Sequence, residues 1–268
     1  MTDDAPPDPE VALAAAAFGP EPGRWPLPAA NTPHQRWLRA VAAGGQGRYA
    51  TAAAELAALS RGITAGPLAS LALSTQASFL RQLGGHDRAR ALDGQAYALG
   101  HGHPEADADA VVGLAADALG VGRFAASAAL LGRARELADV PRRAAVRREW
   151  VSAELAMVTG DPAAVGYARR ALELTDDAMV RHRVKSQVVL AGALCSVGSR
   201  EEARAVADTA LMSTDQGLIP LRWALACLLI DLDGTAGATR TMEQLRQLRD
   251  EAAILVGHRG GRWAVPQR

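Results

Sequence analysis

The sequence has few aromatic residues, two cysteines, one lysine and no net charge. Aromatic residues make up 4% of the 268 positions, whereas apolar residues make up 49%. This alanine-rich balance favours close-packed helices over sheets. Cys195 and Cys227 lack CxxC spacing, which argues against a zinc site or a disulfide framework. The 29 basic residues match the 29 acidic ones, so no overall field attracts nucleic acid or an anionic membrane.

Motifs for catalysis and for export are also missing. The chain contains no GxSxG elbow, P-loop, dinucleotide fingerprint or HExxH. Its acidic start and an apolar run of about eight residues fit neither a secretory signal nor a membrane span. The strong preference for arginine over Lys185, the single lysine, is typical of a G+C-rich bacterial genome. We therefore expect a cytoplasmic protein that is not an enzyme and needs no cofactor.

The two ends of the chain differ from its middle. Residues 1–32 hold seven of the 14 prolines, which predicts a largely disordered segment, with a short helix possible at residues 10–18. Residues 258–268 predict a flexible basic tail containing Trp263. This tail is interpreted as disordered, as a docking peptide or as a segment folded back onto the last helices.

A ladder of glycines divides the middle of the chain into repeats. Gly47, Gly84, Gly122, Gly160 and Gly198 are separated by 37, 38, 38 and 38 residues. Seven residues before each glycine stands an alanine, and the positions four before and twelve after stay apolar. Small residues in fixed columns let neighbouring helices pack closely. The period therefore predicts helix, glycine turn, helix in every unit.

A second ladder, of prolines, marks where the first helix of a unit begins. Proline is favoured at the first helical position, and these prolines are Pro33, Pro67, Pro104, Pro141 and Pro220. Together the ladders predict six antiparallel helix pairs at about 33–61, 67–100, 104–138, 141–175, 177–214 and 218–257. In the least regular unit, the last, Leu229 replaces the small residue, as in a capping unit.

The turn sequences resemble the tetratricopeptide repeat family. The likeness rests on GRYATA at 47–52, GHDRA within 85–89, GRFAAS at 122–127 and GSREEA at 198–203, while GDPAAV at 160–165 is shifted by one residue. The period exceeds the family's usual 34, as in repeat regions that resemble those of large ATP-dependent bacterial transcription activators. The first-helix tryptophan and leucine–glycine pair of the family are mostly absent.

The resemblance implies an all-α, right-handed α-solenoid over residues 33–257, whose first helices line a concave groove for a peptide or a partner helix. The family's best-known mode uses asparagine to hold a terminal carboxylate. Asn31, the single asparagine, precedes the repeats, which argues against that mode here. The predicted groove residues are Trp37, Ser78, Arg81, Val112, Arg147, Trp150, Glu154, Lys185 and Val188.

Three features have both a functional and a structural interpretation. Trp150 with its polar neighbours is either a binding cluster or a tryptophan packed between helices. The arginines of PRRAAVRREW and of residues 169–185 are either a basic edge for an acidic segment or phosphate, or a solvated face paired with acidic residues. The stretch HGHPEADAD at 101–109 could hold a metal, but its acidic residues also suit a helix start, and we expect no metal.

Two functions are favoured by these sequence features, ahead of an enzyme or a nucleic-acid binder built on the array. The first is a non-catalytic adaptor that binds a protein segment in the groove, without nucleic acid or membrane as partner and with an open oligomeric state. The second is a regulatory sensor, related to transcription or signalling, that binds a small effector within the superhelix. Within the fifth unit, Ser199 and Glu202 have the spacing of a capping box, so the polar residues of GSREEARAVADTAL are interpreted as a helix start rather than a site.

Overall fold

The computed structural model describes residues 8–234 and 236–264, and this part of the chain is helical, with no strands. Its thirteen α-helices are α1 Pro9–Ala17, α2 Pro33–Gly45, α3 Tyr49–Ser60, α4 Pro67–Gln82, α5 His86–Gly100, α6 Pro104–Gly120, α7 Phe124–Glu136, α8 Arg142–Thr159, α9 Ala164–Glu173, α10 Val180–Ser196, α11 Arg200–Met212, α12 Ile219–Asp231 and α13 Met242–His258. One 3-10 helix, Ser213–Gln216, follows α11. The all-α prediction is confirmed.

Helices α2 to α13 pack as six neighbouring pairs, in the order that the glycine ladder predicts. Each of the first five pairs is joined by a short turn whose glycine has a positive φ, from +70° at Gly160 to +87° at Gly84. Only glycine adopts this region without strain. Three of the predicted prolines are the first residue of their helix, whereas Pro141 is the N-cap of α8 and Pro220 is the second residue of α12.

The small-residue column forms the contact between helices. All five of its members are fully buried: Ala40, Ala77, Ala115, Ala153 and Ala191. The one-residue shift in the fourth unit is also present, because Ala164 is buried there at the position before the one that Ala203 occupies in the fifth unit. In the last pair the larger Leu229 is fully buried at the equivalent place. The period of the sequence is therefore the period of the packing.

The capping box predicted at the start of α11 is wrong. Ser199 is the N-cap of α11, but its side chain makes no capping hydrogen bond. Glu202 instead pairs with Arg169 of α9 at 3.2 Å, because an outward-facing carboxylate has an arginine of the preceding pair within reach. Capping boxes occur elsewhere, at Thr32 with Gln35 and at Thr241 with Gln244.

The segment before the first pair contains the short helix expected at 10–18, as α1, but the rest of its described part packs instead of being disordered. We call residues 8–28 the N-terminal arm. Its helix α1 buries Leu13 and Ala16 against α2, and Leu27 joins the same apolar cluster. Proline prevents one long helix here, but it does not prevent a short helix followed by an extended stretch that packs side chain by side chain. Residues 1–7 of the predicted disordered segment lie outside the described residues.

The C-terminal tail also packs, as far as residue 264. The rings of Trp263 and Trp223 of α12 lie 4.5 Å apart, and the backbone N–H of Ala264 donates to the carbonyl of Leu83 at 2.7 Å. Of the three interpretations of the tail, residues 258–264 match the one in which it folds back onto the last helices. Two glycines also let the chain pass close to Tyr49 and Ala50. The last four predicted tail residues, 265–268, lie outside the described part.

The row of helix pairs curves until its first and last pairs meet. The N–H of Ala50 in α3 donates to the carbonyl of Arg259 after α13 at 2.9 Å, and the Arg259 guanidinium donates to the carbonyl of Gln46 at 2.9 Å. Across the same gap, Arg181 of α10 donates to the carbonyl of Val41 in α2 at 3.1 Å. Within residues 8–234 and 236–264, no helix has the length and apolar character needed to cross a membrane.

Candidate functional site

The first helices of successive pairs contact one another through residues about one period apart. On α8, Arg143, Arg147, Trp150 and Glu154 follow each other at helical spacing and share one side. We call the surface formed by these residues, together with Trp37, Arg81, Asp109, Arg181, His182 and Lys185, the inner face. It is the side on which the first, fourth and fifth pairs approach each other.

Two tryptophans of the inner face make the same bond in different units. The indole N–H of Trp37 donates to the Thr75 hydroxyl at 2.9 Å, and that of Trp150 donates to the Ser186 hydroxyl at 2.8 Å. In each case the hydroxyl belongs to the first helix of the next pair. Both rings are therefore fixed by a hydrogen bond as well as by packing.

Trp150 is the centre of a smaller cluster with residues of α10. Its ring stacks on the His182 imidazole with centroids 5.6 Å apart. The Lys185 ammonium lies 6.0 Å from the ring centroid of Trp150 and pairs with Glu154 at 3.1 Å. Burial, followed by the neighbouring arginines, lowers the pKa of His182 well below its ordinary value. His182 is therefore a neutral, aromatic part of the cluster at neutral pH.

Ion pairs connect α6 with α8. The Arg143 guanidinium contacts Asp109 at 2.7 Å and Glu105 at 2.6 Å, and Arg147 also pairs with Asp109. Burial alone would raise the pKa of Asp109, but the two arginines outweigh it and hold the pKa below the ordinary value. These pairs join residues 34 to 38 positions apart, so they follow the repeat.

A second charged cluster lies where α4, α5 and α6 meet. Arg81 pairs with Asp93 and, at 3.1 Å, with Asp117, and both carboxylates are fully buried. Two carboxylates therefore share one guanidinium. Burial and the charge of Asp93 raise the pKa of Asp117 to about 7, against the opposing effect of Arg81. Burial also raises the pKa of Asp93.

Arg181 differs from the other arginines of the inner face. Its hydrogen bond goes to the Val41 carbonyl, and no carboxylate of residues 8–234 or 236–264 lies within ion-pair distance of it. Burial, followed by Arg143 and Arg147, lowers its pKa from 12.5 to about 10. Arg181 thus adds a positive charge that described acidic groups do not neutralise.

The N-terminal arm places Phe18 on this surface. The ring centroid of Phe18 lies 5.5 Å from that of Trp37 and 6.2 Å from that of His182. The guanidinium carbons of Arg143 and Arg181 lie 5.0 and 5.8 Å from the same centroid. One aromatic side chain therefore contacts helices of the first, fourth and fifth pairs, with two cations at cation–π distance.

Six of the nine predicted groove residues belong to the inner face: Trp37, Arg81, Arg147, Trp150, Glu154 and Lys185. Val112 lies away from the inner face, because it packs in the apolar cluster of α6, α7 and α8. Val188 packs against the cluster of α10, α11 and α12. The hydroxyl of Ser78 donates to the Thr75 carbonyl of its own helix.

Most arginines of the predicted basic edge form ion pairs, and the acidic residues of HGHPEADAD have partners within the protein. Of the basic edge, Arg142, Arg148, Arg169 and Arg183 pair with Asp176, Glu149, Glu202 and Asp177. Glu105 and Asp109 of HGHPEADAD bind Arg143, and Asp107 accepts from the backbone N–H of Gly102. Among the described residues no three potential ligands come together for a metal ion.

Sequence reasoning left Phe18, Arg143, Arg181 and His182 out of the predicted groove. The repeat period would have found two of these, because Arg143 and Arg181 are 38 residues apart and so occupy one column. Phe18 precedes the repeats, and nothing in its local sequence shows that it reaches the fourth and fifth pairs.

Comparisons with protein-family models, with curated proteins and with solved structures find no match at a significant level.

Proposed function

We propose that the protein is a non-catalytic interaction scaffold, an adaptor whose inner face binds a peptide or helix of a partner protein. The observation that carries this proposal is the position of Phe18. The surface already accommodates an aromatic residue at the end of a short helix, within ring-contact distance of both Trp37 and His182. A surface that binds one such segment has the shape and chemistry to bind another.

The composition of the inner face supports this role. Tryptophan and arginine contribute much of the binding energy at protein interfaces, and the inner face holds two tryptophans and four arginines. Their side chains are held by hydrogen bonds and ion pairs to neighbouring helices. Little side-chain freedom remains to be lost when a partner binds, and this favours affinity. We also infer that the helix pairs form a right-handed superhelix like that of tetratricopeptide repeats.

A small anionic effector is the second candidate ligand. The observation that favours it is Arg181, which lies beside Arg143 and Arg147 and has no carboxylate partner among the described residues. A regulatory sensor of this kind predicts a rise in melting temperature with one class of carboxylate or phosphate metabolite. A flat thermal-shift profile across such a panel would exclude the sensor and leave the adaptor standing.

Site-directed photo-cross-linking tests the adaptor. A photoreactive amino acid replaces Lys185, which is half-buried on the inner face, or Arg170, which is exposed on the second helix α9. We expect the Lys185 position to cross-link a partner from an extract of the source cells and the Arg170 position to cross-link none. The reverse pattern would place binding on the outer helices and refute the proposal.

A further inference from the structure

The N-terminal arm is attached to the array by contacts that do not belong to the repeat. Glu10 pairs with His34, and the Gln46 side-chain amide donates to the carbonyls of Pro22 and Arg24 at 2.9 and 3.0 Å. The Trp25 ring lies beneath the Arg48 guanidinium at 3.7 Å and stays 42% exposed. These contacts lie at the edge of the array, in addition to the burial of Leu13 and Ala16 against α2.

The arm contacts the inner face through Phe18 but does not match its charge. Of the acidic residues in the arm, Asp8 caps α1, Glu10 pairs with His34 and Glu21 pairs with Arg24. None of the three pairs with Arg181 or Arg143. The arm therefore presents an aromatic ring to two guanidinium groups at a place where a carboxylate would form a stronger, charge-assisted contact.

We propose that the N-terminal arm is an internal occupant of the inner face that a partner replaces, and that the partner segment is a helix carrying an aromatic residue with a carboxylate about one turn away. The aromatic residue takes the place of Phe18 between Trp37 and His182. The carboxylate pairs with Arg181. This proposal rests on the proposed function, since it names the chemistry of the partner and the step that admits it.

The arm controls affinity by occupying the site. A partner binds only the fraction of molecules whose arm has left the inner face, so its apparent dissociation constant rises as that fraction falls. Any change that weakens the arm without touching the inner face therefore strengthens binding. A partner with a carboxylate gains a contact that the arm lacks, and this gain lets it compete with a covalently attached segment.

The test measures binding of a fluorescent peptide, residues 8–28 of this chain, to the full-length protein by anisotropy. Phe18→Ala and Trp25→Ala in the protein weaken the arm, whereas Val11→Ala is the matched control because Val11 is 63% exposed on the same arm. We expect Phe18→Ala to tighten peptide binding by about ten-fold or more, Trp25→Ala by a smaller factor, and Val11→Ala by less than about two-fold. Because Trp25 lies at the surface, its replacement still tests the proposal if Phe18→Ala impairs folding.

A second set of binding measurements tests the role of the carboxylate. Peptides with Ala14 or Ala15 replaced by Glu are compared with the same peptides carrying Gln, which has the same shape without the charge. Against the Phe18→Ala protein we expect one Glu peptide to bind about ten-fold more tightly than its Gln partner at low salt. This preference should disappear when Arg181→Gln is added to the protein.

Each outcome decides a different point. Equal binding to the parent, Phe18→Ala and Trp25→Ala proteins would show that the arm does not compete, and would overturn the proposal while leaving a groove binder intact. Equal binding of every Glu and Gln pair would overturn the partner chemistry. Binding of no peptide to any variant would overturn the proposal, and cross-linking from the Lys185 position would then show whether the adaptor survives without it.

Discussion

Arg143 and Arg181 occupy the same column of the repeat, yet we expect their replacement to change stability in opposite directions. Each is changed to Met, which keeps most of the length of the side chain and removes its charge. Arg143 pairs with Asp109 and Glu105. Arg181 has no carboxylate partner among residues 8–234 and 236–264. The comparison isolates the effect of charge on the inner face.

For Arg181→Met, the stability gained by removing the charge exceeds the stability lost with its contacts. Burial and the neighbouring arginines lower the pKa of Arg181 from 12.5 to about 10, and at ~1.4 kcal/mol per pKa unit the charged side chain costs about 3 kcal/mol. The substitution also removes the hydrogen bond to the Val41 carbonyl and the contact with Phe18, which together contribute about 2 kcal/mol. We therefore expect the free energy of unfolding to rise by about 1 kcal/mol.

For Arg143→Met, the stability lost with its ion pairs is the larger effect. Asp109 is buried and keeps Arg147 as its partner, but Glu105 loses its arginine. Breaking a buried ion pair by removing one partner typically costs about 3 kcal/mol. The retained Arg147 reduces this cost to about 2 kcal/mol. The two variants should therefore differ by about 3 kcal/mol in the free energy of unfolding.

Urea unfolding followed by circular dichroism at pH 7 measures both variants against the parent. Equal slopes would show that the same surface unfolds in each protein. If Arg181→Met destabilises the protein as much as Arg143→Met, the inner face does not carry an excess of positive charge, and the two arginines of the column have equivalent environments. If Arg181→Met stabilises the protein, the same variant should still bind the Glu peptides more weakly, since it lacks the charge that pairs with their carboxylate.

Three further predictions concern single sites. Gly122, at φ +74° in a turn, and Gly132, inside α7, both have open space around an added Cβ. Replacement by alanine should therefore destabilise the protein by about 1 kcal/mol at Gly122 and stabilise it by about 1 kcal/mol at Gly132. Equal effects of the two replacements in thermal unfolding would contradict the turn geometry. Because the pKa of Asp117 is about 7 in the folded protein and lower when unfolded, the folded state binds more protons between pH 4 and 7 and stability falls as pH rises through that range. Asp117→Asn should flatten this fall and exceed the parent in stability at pH 8, and a slope of unfolding free energy between pH 4 and 7 that equals the parent's would count against it. Trp150→Phe removes the hydrogen bond to Ser186 at 2.8 Å and should lower the free energy of unfolding by about 1 kcal/mol. Ser186→Ala in the Trp150→Phe protein should then lower it little further. Additive losses in this double-mutant cycle would show that the bond is not made.

Much of the fold could be predicted from the sequence because the same turn and the same helix contact require the same residue types in five successive units. A turn that needs positive φ requires glycine at one position, and helices in close contact require a small residue seven positions earlier. Both signals survive divergence, since neither depends on a particular large side chain. Two helices accordingly begin at the predicted prolines: α4 at Pro67 and α6 at Pro104.

The ends of the chain were predicted less well, and for a physical reason. Proline content is a measure of which regular structures a segment cannot form, and it carries no information about contacts with distant residues. The arm packs through Leu13 and Phe18, whose partners lie in helices up to about 160 residues further along the chain. Only the curvature of the whole array brings those partners together. A local pattern could not reveal it.

The site lies between these two cases. Period alone predicted Arg147, Trp150 and Lys185, because helical spacing from the turn assigns a face to each residue. Applied to charge, the same period shows that Glu105, Arg143 and Arg181 form one column, 38 residues apart.

Adjacent units pair an acidic residue with a basic one in the first step of this column and place two basic residues next to each other in the second. The pairing stabilises the stack of α6 on α8, and the repetition of a base leaves Arg181 without a neutralising carboxylate among the described residues. An acidic residue at position 181 would continue the alternation and remove this excess positive charge. The break in the charge pattern, at the place where the chain's own Phe18 binds, therefore marks the position at which a partner's carboxylate is expected.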